Sequence, residues 1–195
     1  MRGQIIAVVG AGGKTTLIHQ KTKEYVEEGK TVLVLTTTHM FKEPGMIFWR
    51  AEEEETFFSE VRSVLAEKGS CVAGKNDTDV RKFTALPQEI FGRLISMADV
   101  ILVEADGSRQ LPLKYPGEKE PAIPEPVDEV WVLQGEKGIG GKAGEVLHRQ
   151  NLAEEVLRIK AEDTMTAEHM EQLFAIYREK IRKNHPEAKI VCLSV

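Results

Sequence analysis

Residues 4–16 read QIIAVVGAGGKTT, and the rest of the predicted fold extends outward from this stretch. Residues 5–9 are apolar on both sides of an extended chain, as in a strand buried within a parallel sheet. The glycines that follow permit positive φ angles and bring backbone N–H groups close to an anion. The Lys-Thr-Thr at the end opens a helical pattern whose N-terminus carries unpaired donors and a partial positive charge. Strand, glycines, lysine, hydroxyl and helix in this order predict a phosphate-binding loop.

The spacing of this loop is shorter than the usual G-x-x-x-x-G-K-[ST] pattern. That pattern would need glycine where the chain has Val8, so the match is to G-x-x-G-K-T, a short form found in Mur-type peptide ligases and compatible with a triphosphate. The residues of the loop predicted to contact nucleotide are Gly10, Ala11, Gly12, Gly13, Lys14, Thr15 and Thr16. The alternative is a glycine-rich strand-to-helix turn with a solvated lysine.

The composition is that of a globular protein, and the length of 195 residues predicts a single domain over residues 1–195. The formal net charge of −5 argues against duplex nucleic acid as a partner. Cys71 and Cys192 each lie in a short apolar run and are predicted to be reduced core thiols. No apolar run approaches the roughly 18 to 20 residues of a membrane span, and there is no signal-peptide core. We therefore expect a cytoplasmic protein that does not bind membranes.

A βαβ unit follows from the first strand. Residues 15–28 are predicted to be helical, Gly29 ends the helix, and residues 31–37 form a second buried strand. This predicts an α/β fold, a three-layer P-loop NTPase with a mostly parallel sheet flanked by helices. Because ligands bind at the carboxyl ends of such strands, Thr38 and His39 are candidate nucleotide contacts. Threonine at a strand end is also ordinary β chemistry.

Further elements are predicted from hydrophobic spacing. Helices are expected at residues 52–68, 85–98, 145–159 and 166–183, and strands at residues 70–73, 100–104, 129–134 and 190–193. Loops are expected at residues 40–50 and at the proline-rich residues 112–126, the latter long enough to be a lid or binding loop. Phe48 and Trp49 either cover the core or contact a partner or base. The helix at residue 166 begins Thr-x-x-His, without the glutamate of a full capping box.

The apolar run VILVE at residues 100–104 ends in Glu104, and a second acid, Asp106, follows two positions later. Glu104 and Asp106 lie on the same side of an extended chain, where they can hold the water shell of Mg²⁺ or polarise an attacking water. With the Thr15 hydroxyl they form the predicted metal site, and with Lys14 the predicted catalytic set. Acids that end an apolar strand also occur without any metal. Arg109 and Lys114 are candidates for stabilising phosphoryl charge, or are simply solvated.

Together the segments VGAGGKTT, TTTHMF, VEADGSRQLPLKYP, EPAIP and VLHR resemble the YqeC-type accessory proteins of selenium-dependent molybdenum hydroxylases. The resemblance covers most of the chain and implies a SIMIBI-like P-loop NTPase that assists hydroxylase maturation. Carried over by position, it places Gly10, Gly12, Gly13, Lys14 and Thr15 in the phosphate loop, Glu104, Asp106 and Gly107 in the acidic motif, Lys114 after Pro-Leu, and His148 with Arg149 in a His-Arg pair. From sequence, His148 is predicted to lie on a helix.

Two departures from the family pattern affect the prediction. Lys119-Glu120-Pro121 stands where His-Glu-Pro is expected, which removes a histidine from that position. The residues up to Val195 contain no Asn-Lys-x-Asp motif of the kind that related GTPases place after the last strand. The choice between ATP and GTP is therefore open.

The expected function is that of an accessory protein that binds and slowly hydrolyses Mg²⁺-ATP or Mg²⁺-GTP. Its expected partner is a hydroxylase or a molybdenum-cofactor maturation protein, and the resemblance implies a homodimer across the nucleotide. One alternative is a small-molecule kinase or ligase that uses the short loop, with the proline-rich segment as its acceptor pocket. The other is a module that binds nucleotide without hydrolysis and docks a partner through Phe48, Trp49 or the last helix.

Overall fold

The structure, a computed structural model, describes residues 2–195. The described chain divides into two compact units. The first unit contains residues 2–7, 15–105 and 124–126, and the second contains residues 8–14, 106–123 and 127–195. The prediction of a single domain stays a prediction.

The secondary structure alternates between strands and helices. The strands are β1 (Gln4–Gly10), β2 (Val32–Thr36), β3 (His39–Phe41), β4 (Ile47–Trp49), β5 (Ser70–Asn76), β6 (Lys82–Thr84), β7 (Val100–Glu104), β8 (Leu113–Lys114), β9 (Glu129–Gln134), β10 (Leu147–His148) and β11 (Lys189–Ser194). The helices are α1 (Lys14–Glu27), α2 (Glu54–Lys68), α3 (Gln88–Leu94), α4 (Ala143–Val146), α5 (Gln150–Leu157) and α6 (Ala167–Asn184), with short 3₁₀ turns at Ala51–Glu53 and Glu136–Gly138. The predicted α/β class, a large and mostly parallel sheet flanked by helices, is confirmed.

The first unit is built on a sheet with the strand order β1-β7-β2-β5-β6-β3, in which β4 pairs with β5. β2 is parallel to both β7 and β5, with Leu33 opposite Ile101 and Cys71. Every residue of β2 and β7 is buried, which explains why both read as continuous apolar runs. Helix α2 packs against β4 and β5. The carboxyl ends of β2 and β7 therefore come side by side, with Thr36 opposite Glu104.

Residues 40–50 are not the loop that the sequence predicts. They contain β4 and most of β3, and β3 pairs with β6, a strand that the sequence analysis missed. Met40, Met46 and Phe83 form a small core cluster, against which Phe48 packs. These strands are three residues long, so no alternation of apolar and polar residues could identify them. Phe48 thus covers a core, one of the two roles considered for it.

In the second unit the strand order is β11-β9-β1. β9 and β11 are parallel, with Val132 opposite Cys192, and α6 packs against both strands. A separate two-stranded parallel sheet pairs β8 with β10, with Leu113 opposite Leu147 and Lys114 opposite His148. The predicted proline-rich loop therefore contains a short strand.

The predicted helix over residues 145–159 is wrong. The segment is interrupted by β10, and Arg149 takes a left-handed conformation (φ 64°) that separates α4 from α5. His148 consequently lies on a strand, because pairing with β8 overrides the helical pattern. At residue 166 the capping box does form, since the His169 side chain accepts from the Thr166 N–H as glutamate would. Helix α3 is shorter than predicted, and Pro87 is its N-cap.

Both cysteines are free thiols; Cys71 is buried, as predicted, whereas Cys192 is only partly buried. Among residues 2–195, none of the helices combines the length and the apolar character that a membrane crossing requires.

Candidate functional site

The loop after β1 is shaped by three glycines. We call residues 10–14 the glycine loop; Gly10, Gly12 and Gly13 have φ angles of 89°, 84° and 117°. A Cβ on Gly10 would lie 2.1 Å from the Leu133 carbonyl oxygen, and one on Gly12 would lie 2.5 Å from the backbone of Gly135. A Cβ on Gly13 would meet nothing within 4 Å. The first two glycines therefore permit close backbone packing, and the third leaves its surroundings open.

The Lys14 side chain is buried against the backbone of this loop. It is only 5% exposed, and its Nζ donates to the Gly10 carbonyl oxygen at 2.8 Å. The Ala11 N–H donates to the Leu133 carbonyl at 2.9 Å, which anchors the loop to the end of β9. The alternative of a turn with a solvated lysine therefore does not describe this loop.

Thr15 and Glu104, two members of the predicted metal site, are in direct contact within the first unit. The Thr15 hydroxyl donates to Glu104 Oε2 at 2.9 Å, and Glu104 is only 7% exposed. The Thr36 hydroxyl donates to the Glu104 carbonyl at 2.8 Å and accepts from the Thr38 N–H at 3.0 Å. Thr38 thus lies beside the strand end that carries the acid.

Asp106, the third member, has a different environment in the second unit. Its carboxylate is fully buried. Oδ2 accepts from the Gly10 N–H at 3.2 Å and from the Tyr177 hydroxyl at 2.6 Å, and Oδ1 accepts from Lys114 Nζ. Both oxygens are therefore engaged with protein donors, and a role for Asp106 as an ion ligand stays a prediction.

Lys114 is a buried cation that joins two carboxylates. Its ammonium contacts Asp106 and lies 2.9 Å from Glu120 Oε2, and its backbone N–H donates to Gln134 Oε1 at 2.9 Å. Burial lowers the pKa of Lys114, and the adjacent Asp106 carboxylate opposes that shift. Lys114 is therefore not the solvated lysine considered as an alternative.

His148 and Arg149 are adjacent in the chain but interact with different residues. Arg149 makes a two-pronged ion pair with Glu120, with Nη2 2.8 Å from Oε1. Burial lowers the pKa of His148, and the positive charges of Lys114 and Arg109 lower it further. The His148 ring therefore shares a cationic environment with the two basic residues proposed from sequence to stabilise phosphoryl charge.

The remaining predicted residues, Thr16, His39 and Arg109, are exposed. His39 is exposed and its Nδ1 contacts the Asp77 carboxylate. Thr16 is exposed in the first turn of α1, and Arg109 is exposed with a positive φ of 51°. Contact of these residues with a nucleotide stays a prediction.

Tyr177, Gln134 and Glu120 also belong to the cluster around Asp106 and Lys114, although no sequence motif predicted them. Tyr177 lies on the buried face of α6 with Leu173, Phe174 and Ile181, and only its hydroxyl departs from an apolar role. A tyrosine within a stripe of purely apolar residues is the signal that was available, because a buried hydroxyl needs a partner.

The fold and the site define a class: α/β proteins with a glycine-rich loop between the first strand and the first helix. A family model described as YqeC protein matches residues 6–151. The chain is 34% identical over 160 residues to the YqeC protein of Escherichia coli (strain K12). That match covers 76% of this chain and 58% of the length of the relative. The chain therefore belongs to the YqeC family.

Proposed function

We propose that this protein binds Mg²⁺-ATP or Mg²⁺-GTP on the glycine loop and hydrolyses it in support of the maturation of a selenium-dependent molybdenum hydroxylase. The observation that carries the nucleotide part is the loop itself. Three glycines with positive φ follow a buried strand, and the Lys14 ammonium lies at the loop backbone rather than in solvent. The Gly10 and Ala11 N–H groups are bonded to Asp106 and Leu133, so the loop offers a phosphate its later N–H groups and a positive charge.

Two further features favour an anion at this loop. Helix α1 begins at Lys14, and its first turn contains no acidic residue. No acidic residue of the helix itself therefore offsets its partial positive charge. Gly13 leaves open the space where a side chain would block an approach to the backbone.

A magnesium ion fits the donors next to the loop in sequence. The Thr15 hydroxyl and the Glu104 carboxylate are in contact and are both oxygen donors, which Mg²⁺ prefers. Among residues 2–195 no group of three or more His, Cys, Asp or Glu side chains could hold a metal by itself. Thr15 and Glu104 would therefore share the ion with phosphate oxygens and water, as in nucleotide sites. When bound, the ion would neutralise charge on the β and γ phosphates.

Three residues of the chain would have distinct roles in hydrolysis. Lys14 would stabilise negative charge on the phosphates, and Glu104 would orient an attacking water. Asp106 completes the proposed catalytic set through its contact with Gly10. The further residues proposed to contact nucleotide are Thr38, His39, Lys114, His148 and Arg149.

The cellular role rests on family membership and on the resemblance of the motifs. We propose a cytoplasmic protein whose partner is a hydroxylase or a molybdenum-cofactor maturation protein, and which forms a homodimer when nucleotide binds. The native mass measured with and without Mg²⁺-nucleotide tests the dimer. A monomer under both conditions would contradict it.

The decisive test of nucleotide binding is calorimetric titration of Mg²⁺-ATP and Mg²⁺-GTP into wild type, Lys14→Ala and Lys23→Ala. Lys23 lies on the same helix, and its side chain is 79% exposed and makes a long ion pair with Glu27, so it is a matched control. We expect one nucleotide to bind, and Lys14→Ala to weaken it roughly 100-fold or more through lost charge-assisted contacts. Equal affinities for all three proteins would overturn the proposal.

Phosphate release then separates hydrolysis from the alternatives. We expect slow release by wild type and a loss of about 100-fold in Glu104→Gln with binding retained. Tight binding without release would instead indicate a nucleotide-dependent binding module, and release only with a small-molecule acceptor would indicate a kinase or ligase.

A further inference from the structure

We infer that Tyr177 is a positioning residue for the glycine loop: through Asp106, its hydroxyl holds Gly10 and Lys14 in the arrangement that receives phosphate. The inference deepens the proposed function and rests on it for the nucleotide part of its test. Tyr177 lies on α6, outside every family motif quoted above.

One carboxylate oxygen joins α6 to the loop. Asp106 Oδ2 accepts a hydrogen bond from the Tyr177 hydroxyl at 2.6 Å and another from the Gly10 N–H at 3.2 Å. Tyr177 and Asp106 are 71 positions apart in the chain, and Asp106 and Gly10 are 96 positions apart. The contact is therefore a product of tertiary folding, and no local element would form it alone.

The connection continues through Gly10 to the proposed phosphate-binding lysine. The N–H of Gly10 faces Asp106, and its carbonyl accepts from Lys14 Nζ at 2.8 Å. Gly10 also packs directly against Leu133, so its backbone has little freedom to move. Fixing the Gly10 N–H consequently helps to fix the carbonyl on which the Lys14 ammonium lies.

The buried charge explains why a tyrosine is needed. An isolated buried carboxylate is very unfavourable, and it is stabilised only by a cation and hydrogen-bond donors. Lys114 supplies the cation on Oδ1, and Tyr177 supplies a neutral donor on Oδ2. Burial and the Asp106 charge raise the pKa of Tyr177 well above its ordinary value, which keeps the hydroxyl a donor.

Packing alone does not explain the hydroxyl. Tyr177 is fully buried, and a phenylalanine would preserve the ring against the core of the second unit. The oxygen contributes the bond to Asp106, and the same carboxylate also accepts a hydrogen bond from the Gly10 N–H of the glycine loop. Removing this oxygen should therefore affect the loop more than the helix.

The test is the variant Tyr177→Phe, with Tyr25→Phe as a matched control on α1. Amide hydrogen exchange of residues 8–14 in the nucleotide-free protein is the first readout, and the Kd for Mg²⁺-ATP and Mg²⁺-GTP is the second. We expect exchange in residues 8–14 and the Kd each to rise about tenfold in Tyr177→Phe, the size typical of one lost charge-assisted hydrogen bond. Exchange in β2 and both readouts in Tyr25→Phe should match wild type.

Two results would overturn the inference: exchange of residues 8–14 equal to wild type, or a rise spread evenly over the whole chain. If Tyr177→Phe does not fold, replacing Tyr177 with 4-fluorophenylalanine provides the same test, because the fluorine fills the position of the hydroxyl and cannot donate a hydrogen bond. Faster exchange at the loop in that variant supports the inference, and unchanged exchange overturns it. If wild type binds neither nucleotide, the proposed function fails, and the exchange measurement still determines whether Tyr177 positions the loop.

Discussion

At Gly12 and Gly13 the same kind of backbone occurs in two different surroundings. Both residues have a positive φ, which an L side chain adopts at a cost of about 1–2 kcal/mol. Gly12 in addition packs against the Gly135 backbone, whereas Gly13 has open space around the position of a Cβ. Gly12 is therefore required both by its positive φ and by close backbone packing, whereas Gly13 is required by its positive φ alone.

We predict that Gly12→Ala is the more destabilising of the two substitutions. Gly13→Ala should lower the free energy of unfolding by about 1–2 kcal/mol through backbone strain. Gly12→Ala should cost roughly 1–3 kcal/mol more, since backbone atoms must move to admit the methyl group. Denaturant unfolding of both variants measures the difference, and equal midpoints would contradict the packing argument.

His148 provides a prediction about pH. Its pKa is lowered from 6.5 by burial and by the charges of Lys114 and Arg109, so the folded state binds fewer protons here than the unfolded state. Stability should consequently fall as the pH is lowered from about 7.5 to 5.5. His148→Asn should lose less stability over that range, while the two proteins should change in parallel above it. Urea unfolding at several pH values tests this, and parallel curves throughout would count against it.

At the scale of elements, α6 connects two loops of the second unit. Tyr177 reaches Asp106, and one turn later Lys180 donates to the carbonyls of Gly117 and Glu120. Glu120 in turn pairs with Lys114 and Arg149. The helix therefore holds part of the proline-rich segment in place through one lysine.

We predict that Lys180→Met exposes the proline-rich segment to protease. The substitution keeps most of the apolar stem and removes the ammonium that binds these carbonyls. Trypsin should then cut faster after Lys119, an exposed residue between Gly117 and Glu120. Lys183→Met, a change near the end of the same helix, serves as the control. Cleavage at the wild-type rate would show that other contacts hold the segment.

Two glycines in the first unit give opposite predictions. Gly92 lies in α3 with nothing within 4 Å of a Cβ, so Gly92→Ala should stabilise the protein by about 0.5–1 kcal/mol. Gly74 lies in β5, where a Cβ would come within 2.3 Å of the Phe83 ring, so Gly74→Ala should destabilise by about 1–3 kcal/mol. Thermal or urea unfolding measures both. The same sign for the two changes would contradict the description of β5 and β6.

At the scale of the whole molecule, a ligand that binds the folded chain must stabilise it. If the proposed function holds, Mg²⁺-nucleotide at about 100 times its Kd should add about 2.7 kcal/mol to the free energy of unfolding. Lys14→Ala should lose that gain at the same concentration, and Lys23→Ala should keep it. Thermal unfolding with and without nucleotide checks the prediction, and an equal shift in Lys14→Ala would place binding elsewhere.

Much of the architecture was predictable because its signals are local. The first two strands are continuous apolar runs, and the glycines between β1 and α1 are required by their own backbone angles. The short strands β3, β6 and β10 were not predictable, since each has only two or three residues and depends on a partner. The helical pattern around His148 was misleading for the same reason, because pairing with β8 overrides it.

The candidate site likewise has features that local sequence predicts and features that depend on tertiary contacts. The amino-acid order alone specified a glycine loop after a buried strand, an acid at the end of β7, and membership of the YqeC family, because each depends on neighbouring residues. Tertiary structure was needed to show that Asp106 is buried among Gly10, Lys114 and Tyr177. Those partners come from distant parts of the chain, and a buried carboxylate is stable only when folding brings its cation and its donors together.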